Sequence, residues 1–196
     1  MTKAEIISFY KNSVLKPDKT SRYHDRVIEY AVSMAYEQIL HDTYLKDPVN
    51  VDEYVVTKTG LVAHDGTRDY IDVPASYIKL PGKASGVRGV RTTGHAFFPM
   101  TLMEYEQASD FDIWEAGTAI GYAVGQDKIY LHNLPSDWQY VSDNIDIDIV
   151  QSFEEYALTD EVTMPYGQAA KMMELVLNYL RVIPPEQLLN NNADNG

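Results

Sequence analysis

The hydrophobic periodicity of this chain switches twice, and that switch limits the architectures open to it. Residues 1–47 and 161–196 repeat apolar side chains at helical spacing, while residues 48–160 carry short β-forming runs between turn dipeptides. Strands grouped between helices, rather than alternating with them, predict an α+β fold: helices at both chain ends around a central, mostly antiparallel β-sheet. No repeat of 20–50 residues and no long internal linker interrupts the pattern, so a single domain over 1–196 is expected.

The opening segment reads clearly. Thr2-Lys3-Ala4-Glu5 has the spacing of a capping box, and Ile6, Phe9, Tyr10 and Val14 follow at helical intervals. Pro17-Asp18 breaks that helix, and Asp18, Thr20 or Ser21 can start the next. In the second helix Arg22, Arg26, Glu29, Ser33 and Glu37 form a polar stripe opposite Ile28, Ala31, Val32, Ala35 and Ile39. It is predicted to run to about Tyr44 and to end before Pro48. The chain has 15 tyrosines, and Tyr10, Tyr23, Tyr30, Tyr36 and Tyr44 fall in this opening. They point to more than one side, so some are expected to meet partner proteins.

From Val49 the β-formers Val51, Tyr54, Val55, Val56 and Thr57 predict a strand, with Gly60 and Asp65-Gly66 as turns. Residues 70–73 form a second strand, closed by Pro74. Residues 79–95 (KLPGKASGVRGVRTTGH) hold four basic residues, four glycines and no acid. That glycine content predicts a long mobile loop or protruding hairpin. Pro99 to Gln107 can form a short helix, and the runs around Gly125-Gln126-Asp127 predict a β-hairpin. Ile145, Ile147 and Ile149 alternate with Asp146 and Asp148, the pattern of a half-buried strand, expected to continue to about Tyr156. Pro165 suits the first turn of a closing helix with the stripe Ala169, Met172, Met173, Val176, Tyr179 and Leu180. Pro184-Pro185 ends it, and NNNADNG follows as a polar tail.

The chain contains no cysteine, which removes disulfides, thiolate metal sites and thiol nucleophiles. The first residues lack a signal-peptide apolar run, and no stretch approaches the roughly 20 apolar residues of a membrane span. A soluble protein made in a reducing compartment is expected. The formal net charge is −13, and it is uneven along the chain: +1 over residues 1–100 and −14 over residues 101–196. An acidic second half argues against wrapping nucleic acid, which requires a positive surface.

Reactive groups are scattered. The five histidines form no HExxH and no i, i+4 pair. His24 and His41 belong to or near the polar stripe of the second helix, and His64-Asp65-Gly66 has turn chemistry. The best metal candidate is the run Asp143 to Asp148, since Asp146 and Asp148 share a strand face and hard cations take clustered carboxylates. It lacks the glycine and distal glutamate of an EF-hand loop, and a solvated strand face explains it better. The alternatives are an enzyme using Asp143, Asp146, Asp148 and His132 with a metal, or a small adaptor that binds another protein through its tyrosine-rich helices. There is no G-x-S-x-G or S-x-x-K, and Gly82, Gly86 and Gly89 fit neither a Walker loop nor a dinucleotide fingerprint. No catalytic, metal or cofactor-binding residue is therefore assigned, and no enzyme activity is expected. Lys79, Lys83, Arg88 and Arg91, on a flexible arm, are candidates for contacting an acidic or phosphate-bearing partner.

The layout resembles the head-to-tail connector proteins of tailed bacteriophages, the ring or head-completion adaptors between portal and tail. The resemblance rests on two opening helices (TKAEIISFYKNS and SRYHDRVIEYAVSMAYEQIL) and a central strand region with a long loop. The ending TDEVTMPYGQAAKMMELVLNYLRVIPPEQLLNNNAD is similar to the closing helix and tail of ring proteins in crAss-like podoviruses. It implies a homo-oligomeric ring, commonly twelve-fold, in the virion, made in the host cytoplasm and stacked on the portal around the DNA channel. In such rings loops and tails clasp neighbours. The 79–95 arm and the tail residues Leu188, Leu189, Asn190 and Asn191 would then contact portal and other connector proteins. The acidic half would flank a channel through which DNA passes without specific binding.

Overall fold

A computed structural model describes residues 1–14, 25–73, 76–83, 86–92, 94–110, 119–134, 145–165 and 167–182. The protein has an α+β fold, with helices at both ends and antiparallel-rich sheets between them. Its internal contacts divide it into two compact units: Met1–Glu53 with Ser152–Gly196, and Tyr54–Gln151.

The first unit holds α1 (Lys3–Val14), α2 (Asp25–Lys46) and α4 (Ala169–Val182), with α2 packed against both of the others. The capping box forms as expected: the Glu5 amide donates to Thr2 Oγ1 at 3.3 Å, and the Thr2 amide to the Glu5 carboxylate at 2.9 Å. Next to it, the Lys3 and Ala4 amides donate to the carbonyls of Asp160 and Leu158, so the 157–162 segment satisfies the open end of α1. Lys3 itself is buried. Its ammonium donates to the carbonyls of Glu154 and Tyr156, both at 2.9 Å, pairs with Glu29 at 2.6 Å and lies over the Phe153 ring. A buried cation persists only with such full compensation.

The predicted apolar face of α2 is buried, but the opposite stripe is not wholly solvated. Ser33 is 1 % exposed, and Glu37 accepts a hydrogen bond from the Ser152 hydroxyl. A helix flanked on several sides buries a wider arc than one apolar stripe marks. Of the opening tyrosines, Tyr10 and Tyr36 are buried, Tyr44 is partly buried and Tyr30 is half exposed; Tyr23 and the predicted start of α2 lie outside the described residues. The closing helix starts at Ala169 rather than at Pro165, whose carbonyl accepts from the Gln168 amide.

The second unit is built from two sheets. One has the order β1 (Val55–Gly60), β9 (Ile145–Val150), β4 (Val87–Thr92), β5 (His95–Ala96), all antiparallel. The other runs β2 (Ala63–His64), β3 (Asp69–Asp72), β8 (Lys128–His132), β7 (Gly121–Val124), β6 (Phe98–Met100), antiparallel except for the β6–β7 pair. Val87, Val90, Ile145, Ile147 and Ile149 from the first sheet share one core with Ile71, Tyr122, Ile129 and Leu131 from the second. The outer face of the second sheet is covered by α3 (Leu102–Asp110), with Tyr105 and Ala108 packed on Met100 and Ala123.

Several boundaries move. The β7–β8 hairpin appears where Gly125-Gln126-Asp127 placed it. Residues 48–54 form a 3-10 turn instead of the start of a strand, because Pro48 follows Asp47, whose carboxylate and carbonyl accept the Val49 and Asn50 amides. The expected helix from Pro99 begins only at Leu102, after strand β6. Strand β9 stops at Val150 and is followed by a 3-10 turn at Phe153–Glu155, which delivers Phe153 to the helical core beside Tyr36.

The largest correction concerns residues 79–95. Their second half is not a mobile or protruding loop: Val87–Thr92 is an inner strand, hydrogen-bonded to β9 on one side and β5 on the other. Val87 and Val90 are buried, and a bulge between Val87 and Gly89 accommodates the irregular spacing of small and apolar residues. Gly86 and Gly89 here serve close approach of neighbouring segments.

Candidate interaction surfaces

The four basic residues expected to act together on an arm are separated: Arg88 and Arg91 belong to β4, while Lys79 and Lys83 precede it outside any strand. Lys79 is exposed beside a shallow depression formed by Tyr77, Gln126 and Asp127. Lys83 reaches α3 and bonds the Glu104 carboxylate at 2.6 Å. Arg88 is partly buried, and its charge acts on the Tyr122 phenol, whose pKa burial nevertheless pushes up to about 12. Arg91 lies on the outer face of the four-stranded sheet, ion-paired with Asp148 and with Asp146 at 3.8 Å. The tail residues Leu188, Leu189, Asn190 and Asn191 lie outside the described residues.

Asp146 and Asp148 do share a strand face, but Arg91 stands between them as their counter-ion. The Thr57 hydroxyl adds a 2.6 Å bond to Asp148. His132 belongs to the other sheet, where it meets the Tyr105 ring edge-on at 6.1 Å, and Asp143 lies outside the described residues. Among the described residues no group of three histidine, aspartate or glutamate side chains is placed to hold a metal. His64 pairs with Asp69 at 2.9 Å beside the Asp65 turn, where Thr67 and Arg68 amides hold the Asp65 carboxyl below its usual range.

Two other surfaces emerge that sequence reading passed over. In the helical unit, Met1, Ile6, Phe9, Tyr10, Met164 and Met172 line a cleft of about 250 Å³. Phe9 and Met1 are more than half exposed at its rim, and burial raises the Tyr10 phenol to about 12. The helical spacing of Ile6, Phe9 and Tyr10 was visible, but not which of them the neighbouring helices would leave uncovered.

The second surface is a sheet edge. Strand β1 bonds β9 on one side, and among the described residues no strand pairs with its other side. Elsewhere in the unit, Arg68 is held over the rings of Tyr105 and Tyr130, at 5.8 and 5.6 Å, which ties the β2–β3 turn to α3. Among the described residues, no helix is long and apolar enough to cross a membrane. No protein-family model matches the chain, and no curated protein matches its sequence.

Proposed function

We propose that this chain is a structural subunit of a tailed-bacteriophage virion, forming an oligomeric ring in the connector between portal and tail, around the channel through which DNA passes. The observation that carries the reading is the apolar cleft in the helical unit, with Phe9 and Met1 left open at its rim. Large apolar side chains gathered at a concave surface favour burial against another protein. The layout of opening helices, strand-rich centre and closing helix supports the same assignment through its resemblance to connector proteins. In this role the chain performs no chemistry of its own, and DNA meets a protein of net charge −13, which favours sliding over binding.

Mixing the purified chain with the portal protein of the same virion tests the proposal directly. Closed rings stacked on the portal are expected in electron micrographs, and their mass follows from analytical ultracentrifugation. A chain that stays monomeric, with portal particles unchanged at stoichiometric ratio, sinks the reading.

A further inference from the structure

Among the described residues, the two sheets of the second unit end in four edges, and three of them are blunted by length. Strands β5 and β2 have two residues each, and β6 has three with exposed Pro99 at its centre. Short strands and edge prolines are the usual means of denying an edge to another chain. The fourth edge, β1, runs for six residues without proline, Val55–Gly60. Its outer side is unpaired among the described residues.

Lys58 sits in the middle of this edge. It is opposite Ile147, so it shares the inner face of the sheet with Val56 and Gly60, which are opposite the buried Ile149 and Ile145. Lys58 is partly buried there, and no carboxylate among the described residues pairs with it. An inward-facing lysine on an edge rejects indiscriminate pairing, because an apolar residue placed opposite would help bury the charge unpaired. The same lysine admits a strand that brings a carboxylate to that position.

We infer that the β1 edge is a docking site for an extended segment of a partner protein, added antiparallel to β1, with a single glutamate or aspartate opposite Lys58 and an apolar residue opposite Val56. Main-chain bonds along β1 supply affinity, and the Lys58 pairing supplies selection. A second copy of β1 does not meet the requirement. Antiparallel self-pairing centred on Lys58 sets lysine against lysine, and pairing centred on Thr57 sets Lys58 against Val56. Outer-face residues of the added strand would lie beside Thr57 and Thr59, both exposed, so small polar side chains fit there. The inference is independent of the ring assignment, since it concerns the recognition chemistry of one strand.

The test uses the full-length protein and two fluorescent peptides containing Ile-Thr-Glu-Thr-Val-Thr or Ile-Thr-Lys-Thr-Val-Thr, flanked by identical solubilising residues. The glutamate peptide is expected to bind about tenfold more tightly than the lysine peptide, since opposite-charge cross-strand pairs attract and like pairs repel. Lys58→Glu should invert the preference, and Lys58→Gln should abolish it while leaving weak binding to both. Amide exchange of the full-length protein with the glutamate peptide should slow at alternate positions of Val55–Gly60. Equal binding of both peptides, no binding of either, or exchange protection outside β1 overturns the inference. So does a concentration-dependent dimer that protects β1 without peptide, which would make a second copy the occupant.

Discussion

Gly86 adopts φ +95°, and a Cβ built on it would lie 2.0 Å from the Ile78 carbonyl oxygen. Its own carbonyl accepts the Val150 amide, whose residue in turn accepts the Ile78 amide at 2.8 Å. Three backbone segments therefore close on each other at a point where only glycine fits. Gly86→Ala is expected to destabilise the protein by more than about 2 kcal/mol, combining backbone strain with a clash against main chain. Gly66 has a similar φ of +97° but open space around it, so Gly66→Ala should cost about 1 kcal/mol. Urea midpoints of the two variants at unchanged slope measure the difference; equal losses would mean that the close approach to Ile78 is relieved cheaply.

At the scale of an element, α3 depends on a reciprocal cap that also reaches outside the helix. The Glu104 amide donates to Thr101 Oγ1 at 3.1 Å, the Thr101 amide donates to the Glu104 carboxylate at 2.7 Å, and Lys83 adds a third bond. The Lys83 bond first, and the Thr101 amide second, hold the Glu104 carboxyl at about 2, against an ordinary value of 4.5. Because the folded-state value is the lower one, this interaction stabilises the protein above about pH 4.5 and is lost as pH falls toward 2. A carboxyl-carbon NMR titration should place the Glu104 midpoint far below those of ordinary glutamates, and Lys83→Ala should move it back toward 4.5. A midpoint unaffected by Lys83→Ala would show that the ion pair does not persist in solution. The T-x-x-E spacing of this cap was present in the sequence, as it was at Thr2. The spacing marks the start of α3 at Leu102, three residues after Pro99 and just past the end of strand β6 at Met100.

Across the whole chain, the second unit is an insertion into the first. Val55 and Val150 are directly opposite partners in the β1–β9 pair, so the insertion's two ends meet. Residues 54–151 expressed alone are expected to fold, with the slowest-exchanging amides in β9 and β4, as in the full chain; a molten spectrum from the excised unit would refute this. The division also redistributes charge. The first unit holds nine basic and sixteen acidic residues and the second seven and thirteen, so the acidity concentrated in residues 101–196 is shared almost evenly between them. An acidic half of the sequence does not become one acidic lobe.

What the amino-acid order determined by itself is the type of most elements: α2 with its apolar face, the capped start of α1, the β7–β8 hairpin, the alternating β9 and the stripe of α4. Periodicity, capping and turn chemistry act within a few residues, so they are written locally. Tertiary structure alone decided that Val87–Thr92 is an inner strand, that Arg91 pairs with both Asp146 and Asp148, and that Lys3 is buried beside Glu29. Each of these depends on a partner far away in sequence: β4 pairs with β9 across more than fifty residues, and Lys3 with Glu154 across 151. Burial and register are properties of such pairs. The open edge at β1 likewise became visible only once every other strand had found its neighbours.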